Sequence, residues 1–237
     1  MAPHAVIAIA RRIRRRLTAP GPTYPLRLAI LTMLLETFVF LRHQLTLATT
    51  ARRELPAEPL RLNLGSGSDV RPGWLNIDFM GDADLLVDLR RPLPLHDRSA
   101  ELAYSEHTLE HLDYPTDAEA FLRECLRVLR PGGVVSVGVP DGEPAIVDYP
   151  SGAGWYEHWA PSFPPRLSTR MERLNYLFRQ DGDHRFAYDS ETLLALLHRV
   201  GFTDARRRRF DPAIDSAARE DGTLYVEARA PLAGAGP

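Results

Sequence analysis

A glycine turn followed by an acidic residue carries the first chemistry that this sequence offers. Gly65-Ser66-Gly67 follows an apolar run at 60–64, and a second apolar run ends at Asp78. Glycine lets a backbone turn sharply and approach a ligand closely, and one carboxylate can accept both hydroxyl groups of a ribose. Because open α/β sheets bind ligands at the carboxyl ends of their strands, this spacing predicts a nucleoside site.

The elements that must position these residues alternate along the chain. Strands are predicted at 61–64, 75–78, 85–88, 102–105 and 134–139, helices at 117–130 and 190–200, and a final antiparallel pair at 202–210 and 223–230. Such alternation predicts the α/β class with a doubly wound, mostly parallel sheet. We expect this domain to cover residues 59–231, with a disordered tail at 232–237.

A long segment at 140–188 interrupts the alternation with six prolines and several aromatic residues. A connection of this length inside a compact domain is more often functional than idle. We predict a lid with one internal helix at 167–178. Trp155, Tyr156 and Trp159 could stack on a sugar or form the core of the lid.

Six sequence blocks together resemble the class I S-adenosylmethionine-dependent methyltransferases. More narrowly, they are similar to small type 11 methyltransferases, which are often associated with modification of bacterial surface glycans. The blocks are 62–67, 75–78, 88–95, 104–112, 124–133 and 201–205, so the resemblance covers about residues 60–230. It implies a seven-stranded, Rossmann-like fold and S-adenosyl-L-methionine as the cofactor.

The resemblance also implies the residues that bind the donor. The glycine turn would lie under the methionine portion, Asp78 would accept the ribose hydroxyls, and Asp88 with Leu89 would recognise the adenine. Ser105 and Glu106 would lie near the methyl group. The full predicted set is Asn63, Gly65, Ser66, Gly67, Asp78, Asp88, Leu89, Ser105 and Glu106.

Histidines are the candidate catalytic groups, because a general base assists transfer to a hydroxyl. His107 follows the predicted fourth strand, and His184 lies at the end of the lid. His107 and His111 could also form a metal pair, but no third ligand is evident in the sequence, so no metal is expected.

The distance from the glycines to the acid is short. Asp78 follows Gly67 by eleven residues, whereas a dinucleotide-binding unit places its acid about 20 residues beyond the glycines. The first crossover helix must therefore be missing or reduced to a turn. This disfavours a nicotinamide-dependent enzyme, and it leaves one face of the first strands for another segment, such as 26–47, to cover.

Residues 1–58 are expected to form an N-terminal helical extension, with helices at 5–18 and 26–47. Residues 1–53 carry nine arginines against Glu36, a net charge of +8, so the remainder sums to −10. The extension is either a membrane-surface anchor through 5–47 or a cap on the domain. An apolar stretch interrupted by Glu36 is shorter than a spanning helix requires.

The remaining expectations concern location, partners and activity. The single cysteine, Cys125, excludes an internal disulfide and indicates a cytoplasmic protein, at most peripheral to the inner face of a membrane. Arg206–Arg209 indicates a solvated strand edge and not a nucleic-acid site. We expect methyl transfer to a hydroxyl oxygen of a glycan or another small molecule. The alternative is an inactive donor-binding fold that serves as a membrane-docked partner protein.

Overall fold

Seven strands form one sheet in the order β3-β2-β1-β4-β5-β7-β6. The computed structural model describes residues 22–50, 55 and 58–234, so the helix predicted at 5–18 lies outside the described residues. β7 is antiparallel to β5 and β6, and the other pairs are parallel, which confirms the predicted fold. The strands are β1 (Leu60–Leu64), β2 (Leu75–Asp78), β3 (Leu85–Leu86), β4 (Ala100–Glu106), β5 (Leu129–Pro140), β6 (Thr203–Arg207) and β7 (Thr223–Arg229).

Two helices pack on the sheet where the periodicity predicts them. The described helices are α1 (Tyr24–Thr50), α2 (Thr116–Val128), α3 (Glu143–Val147), α4 (Trp155–Trp159), α5 (Arg170–Arg179) and α6 (Ser190–Val200). α6 begins at Asp189, whose carboxylate accepts the Thr192 N–H at 2.8 Å, and it ends at Gly201, which has a φ of +110°. α2 stops two residues earlier than predicted, because residues 129–133 already belong to β5.

The loop between β1 and β2 contains no helix, as its short length predicts; the structure describes all of residues 65–74. Polar side chains hold it in place of helical hydrogen bonds. The Asn63 amide donates to Asp69 O at 2.7 Å and to Asn76 Oδ1 at 3.0 Å, and Asn76 Oδ1 also accepts the Arg71 N–H at 2.8 Å. The side-chain amide of Asn76 donates in turn a hydrogen bond to Asp84 Oδ2 at 2.9 Å. The loop that carries the glycines is therefore ordered by side chains.

The C-terminal half of α1 docks beside β3, the edge strand. Thr46 Oγ1 donates to Leu86 O at 2.8 Å, and the buried His43 accepts the Asp88 N–H at Nδ1, 3.2 Å away. Arg90 Nη2 donates to Glu36 Oε2 at 2.6 Å. The C-terminal half of α1 therefore packs against the β3 edge of the sheet.

Most of the α1 surface nevertheless remains uncovered. Eleven large hydrophobic side chains between Leu26 and Leu47 are exposed, including Met33 and Leu41 at 60% each. Among the described residues, α1 is the one helix long and apolar enough to cross a membrane. Its 27 residues extend about 40 Å, against the roughly 30 Å of a bilayer core. The helix predicted at 26–47 is longer by two residues at its N-terminal end and three at its C-terminal end, and its exposed apolar side chains continue on both sides of Glu36.

The lid at 140–188 contains three helices, α3, α4 and α5, where one was predicted. Its aromatic residues pack on one another, because Trp155 contacts both Tyr156 and Phe163, with ring centroids 4.9 and 5.5 Å apart. Tyr156 is buried and donates its hydroxyl to Ala145 O at 3.0 Å. These aromatics form the core of the lid.

Candidate active site

The glycine turn and Asp78 meet at the carboxyl ends of β1 and β2. Gly65 and Gly67 have φ angles of +76° and +52°, conformations that glycine adopts without steric cost. Asp78 Oδ2 accepts the Gly67 N–H at 2.8 Å, and Oδ1 accepts the Met80 N–H at 3.1 Å. Each carboxylate oxygen offers two lone-pair positions, so Asp78 keeps acceptor capacity for a ligand hydroxyl.

The two glycines face different surroundings. A Cβ on Gly65 would lie 2.0 Å from Thr108 Oγ1, whereas a Cβ on Gly67 would meet no atom of the described residues within 4 Å. Gly65 therefore lets the segment after β4 pack tightly against the turn. Gly67 borders open space.

Two buried serine hydroxyls at the same end of the sheet lack partners. Ser66 Oγ and Ser105 Oγ make no hydrogen bond to any described residue, although buried polar groups are almost always satisfied. They follow β1 and lie on β4, the two central strands. Both hydroxyls therefore keep unused hydrogen-bonding capacity at the end of the sheet that carries the glycine turn.

Asp88 is engaged differently from its expected role in adenine recognition. Its Oδ1 accepts the Arg90 N–H and Nε–H, and its Oδ2 accepts from Arg90 Nη2 and Arg91 Nε. These four bonds fill the four lone-pair positions of a carboxylate. In this structure Asp88 has no acceptor left for an adenine amine, and it links β3 to α1. Leu89 is largely buried in the core.

Asn63 and Glu106 also turn away from the predicted donor site. The Asn63 amide is committed to the β1–β2 loop. Glu106 Oε1 accepts the Tyr225 hydroxyl at 2.9 Å on the β7 side of β4. Asn63 therefore acts on the site through the loop that it holds, and Glu106 braces β4 against β7.

Four polar residues gather where β4 ends and the lid returns to the sheet. His107 Nδ1 and His111 Nε2 lie 3.6 and 3.9 Å from Glu110 Oε1. The His111 and His184 rings have centroids 5.1 Å apart. The turn at Leu109–His111 is 3₁₀, so His107 and His111 are not successive positions on one helix face. We call His107, Glu110, His111 and His184 the polar cluster.

Burial dominates the electrostatics of the polar cluster. Burial, with smaller effects from Arg219, His184 and His111, lowers the pKa of His107 to about 3. Burial also lowers the pKa of His184, although its hydrogen bond to Leu177 O opposes the shift. Burial raises the pKa of Glu110 to about 8. Both candidate bases are thus neutral at pH 7.

Sequence reasoning missed the position of Glu110 at the centre of the polar cluster. Glu110 is 1% exposed, and neither carboxylate oxygen has a hydrogen-bond partner among the described residues. Its neighbour Tyr188 has a buried hydroxyl that likewise lacks one. The signal available in the sequence was the repeat of Glu-His at 106–107 and 110–111.

Comparison with known proteins agrees with this geometry. Residues 75–137, from β2 into β5, match a family model described as a methyltransferase domain. A protein of Mycolicibacterium smegmatis, described as a "probable S-adenosylmethionine-dependent methyltransferase", is 30% identical over 123 residues, which are 45% of this chain and 47% of that protein. These two matches support a class I S-adenosylmethionine-dependent methyltransferase.

Two further similarities accompany that match. An uncharacterized 37.1 kDa transposon protein of Streptomyces fradiae is 43% identical over 58 residues, which are 24% of this chain and 16% of that protein. A solved S-adenosylmethionine-dependent methyltransferase of Methanosarcina mazei is 14% identical, with a TM-score of 0.48 and coverage of 78% of this chain and 97% of that one. The chain spans less than half the length of the curated relatives it matches.

The residues of this site fit S-adenosylmethionine, the cofactor of the methyltransferases that the chain resembles. The turn at 65–67, the acceptor capacity of Asp78 and the unpaired hydroxyls of Ser66 and Ser105 would hold it. When bound, the cofactor supplies a methyl group on a positively charged sulfur. Asp88 and Leu89 remain predicted donor residues by position, but Asp88 does not offer the hydrogen bond expected of it.

Proposed function

We propose that this chain transfers a methyl group from S-adenosylmethionine to a hydroxyl oxygen of a glycan or another small hydroxylated molecule. The observation that carries the proposal is the contact of Thr108 with Gly65. This contact joins the donor turn to the segment that begins the polar cluster. A proton-accepting cluster beside a donor turn is the arrangement that methylation of a hydroxyl needs.

The side chains have separable tasks in this proposal. The donor turn and Asp78 orient the donor, and alignment of the reacting atoms supplies much of the rate in a displacement. A neutral imidazole then accepts the proton that leaves the acceptor hydroxyl. His184 suits this task better than His107, because the low pKa of His107 makes it a weak base.

Isothermal titration with S-adenosylmethionine tests the donor site, and transfer of a labelled methyl group to a panel of hydroxylated acceptors tests the reaction. Asp78→Ala removes the acceptor of the Gly67 N–H, so we expect donor affinity to fall at least ten-fold. The matched variant Asp97→Ala changes an exposed aspartate paired with Arg127 and should bind normally. Equal donor affinity in both variants would refute the donor site.

The same assays address the alternative of an inactive partner protein. Donor binding without methyl transfer to any acceptor class would favour that alternative. Methyl transfer to an amine or a carbon, without transfer to any hydroxyl compound, would support methyltransferase activity but contradict the proposed hydroxyl acceptor.

We also infer that α1 contacts a membrane, which would make the protein peripheral to it. The exposed apolar surface of α1 supports this inference, because contiguous apolar patches of such size mark interaction sites. Flotation with anionic liposomes tests it. Leu34 and Leu41 are 58% and 60% exposed, so L34E/L41E should lose flotation while retaining the fold. Equal flotation of wild type and this variant would contradict the inference.

A further inference from the structure

Three ligand atoms converge at the polar cluster from two distant parts of the chain. One atom each from Glu110, His111 and His184 lies within 4.8 Å of the other two. Glu110 and His111 belong to the turn after β4, and His184 follows α5 at the end of the lid. Backbone bonds fix this approach, since Arg185 N and Phe186 N donate to Glu110 O at 2.7 and 3.3 Å.

The tautomers of His111 and His184 leave their converging nitrogens free. His111 Nδ1 lies 2.9 Å from Asp183 O, and His184 Nδ1 lies 2.9 Å from Leu177 O. A carbonyl oxygen only accepts, so each Nδ1 must carry the proton and each neutral ring has a bare Nε2. Metal-binding histidines are typically fixed in this way, by a backbone acceptor on the other ring nitrogen.

His107 adds another acceptor to the same space. Thr223 Oγ1 donates to Arg219 O at 2.6 Å, so it must accept from His107 Nε2, which lies 2.9 Å away. His107 Nδ1 is then bare, and it lies 3.6 Å from Glu110 Oε1.

The Glu110 carboxylate is a further hydrogen-bond acceptor beside the bare histidine nitrogens, and it has no donor. Its side chain is 2% exposed, and neither oxygen has a partner among the described residues. Several lone pairs therefore face one buried carboxyl group. A positive ion at their centre would satisfy all of them at once.

We propose that Glu110, His111 and His184 bind a divalent first-row transition metal ion, with Zn²⁺ as the best match. Two imidazoles and one carboxylate suit such ions, whereas Mg²⁺ and Ca²⁺ prefer oxygen ligands alone. The adjoining cavity, lined in part by Glu110, His184 and Tyr188, has a volume of about 10 Å³. That volume admits one water molecule or one ion. Donor atoms of a tetrahedral Zn²⁺ site lie about 3.4 Å apart, so the three ligands need to approach by about 1 Å.

The site would tie the end of the lid to the turn after β4. It would also leave an open position on the ion, because three protein ligands do not complete a tetrahedral shell. A hydroxyl bound there would lose its proton more readily. In that role the ion would take the place of His184 as the group that assists proton loss, because His184 Nε2 would then be bound to the ion. This catalytic role rests on the proposed function, but metal binding does not.

The test is Zn²⁺ titration of the chelator-treated full chain against a chromophoric competitor, with Co²⁺ absorption reporting ligand geometry. We expect one tight site and a Co²⁺ spectrum typical of four ligands. His111→Ala and Glu110→Gln should each weaken Zn²⁺ binding by more than about 100-fold. His198→Ala is the matched control, because His198 is exposed on α6 and should bind as wild type does.

Circular dichroism of each variant checks the fold, and His111→Ala carries the test if Glu110→Gln unfolds, because His111 is partly exposed. Equal Zn²⁺ affinity in wild type and His111→Ala would overturn the proposal, as would a wild type without a tight site. Neither readout depends on methyl transfer, so failure of the proposed reaction leaves the metal result standing.

Discussion

Gly67→Ala separates the cost of backbone strain from the loss of a ligand contact. Gly67 has a φ of +52°, and a Cβ there would meet no described protein atom within 4 Å. The substitution therefore introduces no clash within the described protein. Its cost is that of an L-residue in the left-handed region, about 1 kcal/mol, which corresponds to a fall in Tm of about 2–4 °C.

The free energy of donor binding should fall by more than this cost in backbone strain. A ligand lying over the turn would meet the new Cβ, because the space that borders Gly67 is the space assigned to the donor. We expect S-adenosylmethionine to bind Gly67→Ala at least ten-fold more weakly, a loss of about 1.4 kcal/mol in binding free energy. Isothermal titration measures this affinity, and thermal unfolding measures the strain separately.

Gly73→Ala is the matched control. Gly73 has a φ of +77° and, like Gly67, would place its Cβ more than 4 Å from every described residue that is not its chain neighbour. It lies near the far end of the β1–β2 loop. Both variants should lose similar stability, and only Gly67→Ala should lose affinity. If both variants bind the donor as wild type does, the donor does not lie over Gly67 and the assignment of the turn is wrong.

Two further predictions concern how the domain is held together. Burial lowers the pKa of His43 below its ordinary value of 6.5, and His43 must be neutral to accept the Asp88 N–H. As the pH falls, the unfolded chain therefore binds a proton at His43 before the folded chain does. The free energy of unfolding should decrease as the pH drops below 6.5. Urea unfolding at pH 7 and pH 5.5 checks this, and His43→Leu should lose that component of the pH dependence. Arg208 Nη1 donates to the fully buried Asp215 carboxylate at 2.6 Å, so Asp215→Ala should cost about 3–5 kcal/mol by stranding the guanidinium. A loss under 1 kcal/mol in urea unfolding would show that water reaches Arg208.

Local sequence signals predicted the parts of the fold that local physics decides. α6 begins at its Asp cap and ends at Gly201 because both residues satisfy helix ends by themselves. The absent first helix followed from chain length alone, since eleven residues cannot hold a turn, a helix and a strand. The fate of Asp88 could not be predicted in this way. Its carboxylate is filled by Arg90 and Arg91, and Arg90 also reaches Glu36 on α1, so the outcome depends on where a separate helix docks.

The polar cluster likewise combines features that the local sequence predicts with features that depend on tertiary contacts. From the sequence, His107 and His111 read as a helical pair without a third ligand, because spacing describes only neighbours along the chain. In the structure the third nitrogen comes from His184, 73 residues beyond His111, and the bonds that bring it there are donated by the backbone N–H groups of residues 185 and 186. Hydrogen bonds between backbone groups do not depend on which side chains are present, so they leave no pattern in the sequence. A ligand set assembled by a returning lid is therefore invisible to motif spacing, and the one sequence trace of it is the chemistry of the residues that end up together.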